Sequence, residues 1–336
     1  MRKVKIAVVD TGIDIDDEEL RNFYHIDERF QLNNDLDVRD SNGHGTLVSK
    51  TIIDICKDVE LYPIKIFDEL GKTYSLNIVI VLKKLINSDI DLINLSASTF
   101  DYSYEKELRD VCKELQNKNK FLICSKHNKK SDCDSIPTVF DSVIGVCGHE
   151  YIFYKNDYIY RAGEKVKMYT NSKDIFLSFN KKITHFGRNS KSCAVATGII
   201  ANLIKKYNYI EFKELERILK KNSQSEKSLN IKKISNIKDN KIKFQNHKNI
   251  KYEDVHNIEE RVLNIINNKF SSNVKLPDIK KYGIINNLTN IGLYNAYEFL
   301  EYINNEFSID INYKDIYIYN LSDLNLLKII IRKYLN

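Results

Sequence analysis

Asp10, in Val8-Val9-Asp10-Thr11-Gly12, ends the first apolar run of the chain. An acid at the C-terminal end of a buried strand lies on the edge where open α/β sheets collect their active sites, and Gly12 lets the chain turn sharply after it. His44 stands between Gly43 and Gly45 at the start of a helical pattern, so backbone comes close to the imidazole and its edge stays open. Ser190, in Gly187-Arg188-Asn189-Ser190-Lys191-Ser192-Cys193-Ala194, opens a helix whose small residues Ala194, Ala196 and Gly198 suit tight packing under a sheet. A hydroxyl and N–H at a helix N-terminus meet developing negative charge favourably. Read alone, Ser190 is better taken as an ordinary N-cap. Together, an acid, an imidazole and a hydroxyl are the parts of a nucleophilic acyl-transfer centre.

The elements needed to position these three can be read from the hydrophobic pattern. Val4–Asp10, Leu61–Phe67, Leu92–Ser96, Phe121–Ser125 and Val143–Cys147 are short, nearly continuous apolar runs, as strands buried on both faces require. Amphipathic stretches near 45–57, 75–87 and 103–118 alternate with them, and 190–207 and 211–222 read as two closing helices. The pattern predicts an α/β fold with a parallel sheet and helices on both faces, followed by a small C-terminal helical bundle. The expected domains are 1–222, a basic connector over 223–251, and 252–336. Within the connector, Ile231–Ile237 and Lys241–Phe244 flank Lys238-Asp239-Asn240 as a small hairpin would.

Composition excludes several classes. With 43% hydrophobic and 29% charged residues over 336 positions, the chain has material for a sizeable core and no case for global disorder. No apolar run is long enough to span a bilayer, and Ile6–Val9 is too short for a secretory signal core. Six cysteines without close pairs read as free thiols of a reducing compartment, which predicts a cytoplasmic protein. The net charge of +6 is accounted for by residues 221–250, where eight Lys face Glu226 and Asp239. An excess confined to one connector argues against a nucleic-acid-binding face. Seven His without metal-ligand spacing predict no metal centre and no cofactor.

The three segments resemble the signature blocks of the subtilisin-like (subtilase) serine proteases: Asp10-Thr11-Gly12, Gly43-His44-Gly45-Thr46, and Asn189-Ser190 with Gly198 eight residues on. The resemblance covers about residues 3–207. It includes Asp91–Ser96 as a strand bordering the substrate cleft, Phe121–Asn128 as the strand ending in the oxyanion Asn, and Ile136–Val146 as the strand that follows. It implies a triad of Asp10, His44 and Ser190, an oxyanion hole from Asn128 and the Ser190 N–H, and a cleft edge at Ser96, Ala97 and Ser98. The sequence departs from the family at Ala194 in place of a Pro, Ser192 of an Ala, and His127 and Ser98 of glycines. A Cβ at these places narrows a cleft or shifts an oxyanion donor, so an active peptidase and a weak or inactive peptide-binding protein both remain open. The chain starts at its first strand, so an enzyme made without an inhibitory pro-segment is expected.

Residues 255–336 resemble an acyl or peptidyl carrier protein, with helices at Ile258–Ile266, after a long loop at Leu293–Phe307, and from Leu321. The position that bears phosphopantetheine in such carriers falls on Leu293 or Gly292, neither of which has a hydroxyl to modify. The resemblance implies a domain that carries nothing and docks a partner; an unrelated helical appendage is the other reading. The expected function is an intracellular serine endopeptidase of narrow specificity, such as one maturing a precursor peptide, with peptide or protein substrates.

Overall fold

The computed structural model describes residues 2–32, 36–129, 131, 133–208, 210–225 and 257–335. The five apolar runs form the parallel strands β1 (Val4–Asp10), β2 (Val59–Lys65), β3 (Leu92–Leu95), β4 (Phe121–Ser125) and β5 (Val143–His149). With β6 (Tyr158–Tyr160) and β7 (Met168–Asn171) they make a seven-stranded sheet of order β2-β1-β3-β4-β5-β7-β6, in which only β6 runs antiparallel.

Alternate residues of the central strands face opposite helical layers. Ala7, Val9, Ile93, Leu95, Leu122 and Cys124 join one buried cluster with α2 (Ser75–Leu85) and α3 (Glu105–Asn117). On the other face Asn94 Oδ1 accepts the Thr197 hydroxyl at 2.9 Å, from α4 (Arg188–Tyr207). Helix α1 (His44–Ile55) packs against α4, and Gly198 is the reason the two approach closely: a Cβ there would lie 2.5 Å from Ile55 Cβ and 3.2 Å from the Ile52 carbonyl oxygen. The small-residue run thus serves helix-on-helix packing as well as the sheet. Helix α5 (Phe212–Asn222) closes the layer, with the Phe212 ring 6.2 Å from that of Phe121.

Strands β6 and β7, and the two-stranded sheet of β8 (Ile175–Phe179) and β9 (Lys182–Phe186), were not expected from sequence. They are three to five residues long, too short for an alternating pattern to register. The hairpin expected between 231 and 244 lies outside the described residues.

The described residues divide into two compact units. The first takes those within Met1–Ser172, Phe179–Lys181 and Gly187–Lys232; the second takes those within Lys173–Ser178, Lys182–Phe186 and Lys233–Asn336. Besides β9 and most of β8, the second unit holds the helices α6 (Ile258–Lys269), α7 (Leu276–Tyr282), α8 (Ala296–Phe307), α9 (Ile318–Ser322) and α10 (Leu324–Leu335). Val262, Ile266, Phe299, Ile303, Leu327 and Ile331 form the centre of its core. Helix α7 stands where a long loop was expected. Pro277 lies in its first turn and Asp278 accepts the Lys275 N–H at 2.9 Å, so a short helix is capped where periodicity alone is too brief to reveal it. The expected last helix is broken at Asp323, whose carboxylate accepts the N–H groups of Asn325 and Leu326 and starts a new one. Among the described residues no helix is long and apolar enough to cross a membrane.

Candidate active site

Asp10 ends β1 at the C-terminal edge of the sheet, and β1 is flanked there by β2 and β3. Its side chain is 3% exposed, and Oδ1 accepts the Thr11 N–H at 2.8 Å. The chain then turns at Gly12, whose φ of +115° and 2.3 Å clearance from a would-be Cβ to the Val38 carbonyl oxygen admit only glycine.

His44 begins α1, and the start of that helix is tied down by a carboxylate that the sequence reading missed. Asp40 accepts the N–H groups of Asn42, Gly43 and Thr46 and the hydroxyls of Thr11 and Thr46, at 2.7–3.1 Å. Thr11 Oγ1 in turn accepts the Gly45 N–H at 2.9 Å. Gly45 lets the two backbones meet, since a Cβ on it would stand 2.3 Å from the Gly12 carbonyl oxygen and 3.1 Å from Asp10 Cβ. The result is that His44 Nδ1 lies 2.7 Å from Asp10 Oδ1. Burial lowers the His44 pKa, but the charge of Asp10, its hydrogen bond and the charge of Asp40 outweigh this and leave it above the ordinary 6.5. With Nδ1–H held by Asp10, Nε2 is the ring nitrogen left to take a proton.

Ser190 lies in the first turn of α4, but the cap of that helix is Gly187, so the Ser190 hydroxyl is not spent on capping. It donates to the Ser96 carbonyl at 3.3 Å rather than to His44. Ser96 continues from β3, and Ala97 follows with its carbonyl accepting the Cys124 thiol at 3.0 Å. Ser98 Oγ is buried and unpartnered, as is Ser192 Oγ in α4. Beyond them Thr99 pairs with Ile136 through two 2.9 Å backbone hydrogen bonds, and the Phe100 ring lies 4.7 Å from that of His127.

Asn128 follows β4 and is exposed. Its Oδ1 accepts the backbone N–H of Asn189 at 3.3 Å. Asn189, part of the Ser190 block but given no role from sequence, also donates from Nδ2 to the Lys126 carbonyl at 3.0 Å and accepts the Gly148 N–H at 2.9 Å. One side chain thereby joins the ends of β4 and β5 to the residue before Ser190. The ring of Phe179 lies against Gly43, where a Cβ would be 2.7 Å away, and forms a wall beside His44. The structure therefore brings Asp10 and His44 into contact, sets Ser190 against the Ser96–Ser98 edge, and links Asn128 to the residue next to Ser190. Among the described residues no three His, Cys, Asp or Glu side chains gather as a metal site.

Residues 1–244 match the subtilase family (peptidase S8). Over 107 residues the chain is 32% identical to Subtilisin-like protease SBT6.1 of Arabidopsis thaliana, which covers 30% of this chain and 10% of that protein. The chain thus spans about a tenth of the length of that relative. The fold is similar to that of a cold adapted subtilisin-like serine proteinase, with a TM-score of 0.55 and 18% identity over 66% of this chain and 82% of that one. It is also similar to the epidermin leader peptide processing serine protease EpiP from Staphylococcus aureus, with a TM-score of 0.52 and 16% identity over 62% of this chain and 66% of that one. A lanthipeptide protease gives a TM-score of 0.54 and 17% identity over 65% of this chain and 79% of that one.

Proposed function

The chain belongs to the subtilase family, and on that premise we propose that it is a serine endopeptidase working through Asp10, His44 and Ser190. The observation that carries the reading is the 2.7 Å contact of Asp10 with His44 Nδ1, which leaves Nε2 as a base for a Ser190 hydroxyl set in a helix's first turn. The steps follow from that geometry. His44 Nε2 takes the Ser190 proton as Oγ attacks the scissile carbonyl, and Asp10 stabilises the imidazolium that forms. The oxyanion is met by Asn128 Nδ2 and the Ser190 N–H, with the positive end of α4 behind them. The imidazolium then protonates the leaving amine, and water, deprotonated by the same nitrogen, releases the acyl group from Ser190. For attack, the Ser190 hydroxyl has to exchange the Ser96 carbonyl for His44 Nε2.

Ser96, Ala97 and Ser98 serve as the edge along which the substrate backbone lies. We assign a narrow substrate range, with maturation of a precursor peptide as the role and the cytoplasm as the place of action. Two of the structurally similar proteins are named for leader-peptide or lanthipeptide processing, which supports the maturation role. The helical unit is assigned a docking role for a protein partner without covalent cargo, in the manner of a carrier domain that has Leu293 and Gly292 where a modifiable Ser would stand.

A second reading, a subtilase-fold peptide-binding protein with little turnover, draws on the Ser190 hydroxyl being engaged by Ser96. Intact-mass detection of fluorophosphonate labelling separates the two. One adduct on the wild type that is absent from Ser190→Ala supports the peptidase; no adduct on folded protein supports the binding protein.

A further inference from the structure

The cap of α1 is Gly43, which has no side chain to satisfy the free N–H groups of the helix's first turn. Side chains from outside the helix do so instead. Asn42 Oδ1 accepts the His44 N–H at 3.2 Å, Thr11 Oγ1 that of Gly45 at 2.9 Å, and Asp40 Oδ2 that of Thr46 at 2.9 Å. Asn42 and Asp40 lie just before the helix in the chain. Thr11 comes from 34 residues away, directly after Asp10. It therefore holds both sides of the acid–imidazole pair. Its N–H donates at 2.8 Å to Asp10 Oδ1, the oxygen that lies 2.7 Å from His44 Nδ1, and its hydroxyl accepts from the residue after His44.

A hydroxyl has one proton, so Thr11 keeps its lone pairs toward Gly45 while that proton is given elsewhere. Asp40 takes it, with Oδ1 at 2.9 Å. The arrangement recurs in the opposite sense at Thr46, whose hydroxyl accepts the Asp14 N–H at 2.9 Å and donates to Asp40 Oδ2 at 2.7 Å. Both hydroxyl bridges between the end of β1 and the start of α1 thus have Asp40 as their acceptor, and Thr11, Thr46 and Asp40 are all buried. An ionised carboxylate offers acceptor positions only and suits that place. An amide would turn N–H groups toward partners that are themselves donors.

From this we infer that Thr11 is a positioning residue of the acyl-transfer centre, through which the Asp40 carboxylate holds the His44 ring on Asp10. The inference deepens the peptidase reading above and rests on it. Without the Thr11 hydroxyl, the Gly45 N–H and Asp40 Oδ1 each lose a buried partner, and the helix start is released from the strand that bears Asp10. A base held to its acid through so few bonds loses rate out of proportion to the distance it moves.

The test uses the full chain as wild type, T11V, T11S and D40N. It has two readouts: the pH profile of fluorophosphonate labelling at Ser190, and the proton resonance of His44 Nδ1–H, which needs no turnover. T11V keeps the volume and removes the hydroxyl. It is expected to slow labelling roughly 10²-fold, the loss that misplacing a catalytic group by about 1 Å carries, and to shift or erase the resonance. T11S returns the hydroxyl and should restore most of both. D40N should slow labelling and also move its acid limb to lower pH. The charges that raise the His44 pKa against burial are those of Asp10 and Asp40, while the Asp14 carboxylate is turned to the Asp16 N–H. Thr11→Ala replaces T11V, with the same expectations, should T11V not fold. Folded T11V with wild-type rate and resonance overturns the inference, as does T11S as slow as T11V; an unmoved limb in D40N overturns the part given to Asp40. A wild type that never labels overturns the peptidase reading instead. The resonance then decides the positioning, and one indifferent to T11V overturns that too.

Discussion

Asn128 Oδ1 accepts the Asn189 backbone N–H at 3.3 Å, which engages the amide oxygen and makes Nδ2 the end of that side chain able to donate. The orientation matters because only Nδ2 can donate to an oxyanion; had the amide faced the other way, its oxygen would repel the developing charge. Asn128→Ala is therefore expected to lower kcat/KM by roughly 10²–10³-fold, the range that removal of one side-chain donor carries in subtilisin-type sites. KM should change little, since the donor acts in the transition state. Steady-state kinetics on a cleaved peptide check this, and a loss confined to KM would contradict the assigned role.

The Asp10–His44 contact sets the pH dependence. A base acts only when neutral, so activity should fall as pH drops through the His44 pKa. That pKa is raised, because Asp10 and Asp40 outweigh burial, so the acid limb should lie above the ordinary 6.5. Asp10→Asn removes the anion, so the limb should move to lower pH. The rate should also fall, by roughly 10⁴-fold, because the wrong tautomer is then held. The pH profile of fluorophosphonate labelling measures both. A limb that stays in place in the variant would show that Asp10 does not govern the base.

Gly45→Ala is expected to reduce both stability and activity. Its Cβ would sit 2.3 Å from the Gly12 carbonyl oxygen and 3.1 Å from Asp10 Cβ, and the first contact is with backbone that has nowhere to move cheaply. Overpacking of this kind costs about 1–3 kcal/mol, and here the relaxation also carries His44 away from Asp10. Thermal unfolding and labelling rate should fall together; a fall in Tm with the rate unchanged would mean that the helix start yields without disturbing the pair.

The sequence revealed much of this site because its strongest signals are short-range. Five buried strands are written as continuous apolar runs, and Asp10, His44 and Ser190 each sit at an element boundary marked by glycine or small residues. Asp40, and the role of Asn189, were hidden for the opposite reason. Each is an ordinary polar residue whose importance lies in hydrogen bonds reaching Thr11 and Gly148, 29 and 41 residues away, and no local pattern records those. Phe179 was hidden likewise, since its wall against Gly43 depends on a five-residue strand too short to read. The family resemblance located departures at Ser98 and Ser192 without showing their cost, which became visible only as buried hydroxyls lacking partners.

That cost gives the last prediction. The Ser192 side chain is fully buried in α4, and its hydroxyl meets no acceptor or donor, although its carbonyl receives the Thr170 hydroxyl at 2.8 Å. A buried polar group without a partner costs about 1–3 kcal/mol, whereas replacing it by a methyl leaves only a small loss of volume. Gly148 lies close enough that a Cβ there would stand 3.3 Å from Ser192 Oγ, so the pocket around the hydroxyl is already tight and Ala leaves little void. Ser192→Ala should therefore stabilise the first unit, by about 1 kcal/mol, without touching Ser190, His44 or Asp10. A higher Tm with an unchanged fluorophosphonate rate is the expected pair of results. A lower Tm would mean that the hydroxyl is satisfied in solution by a water reaching it past Gly148, and that the serine in place of alanine carries no stability penalty.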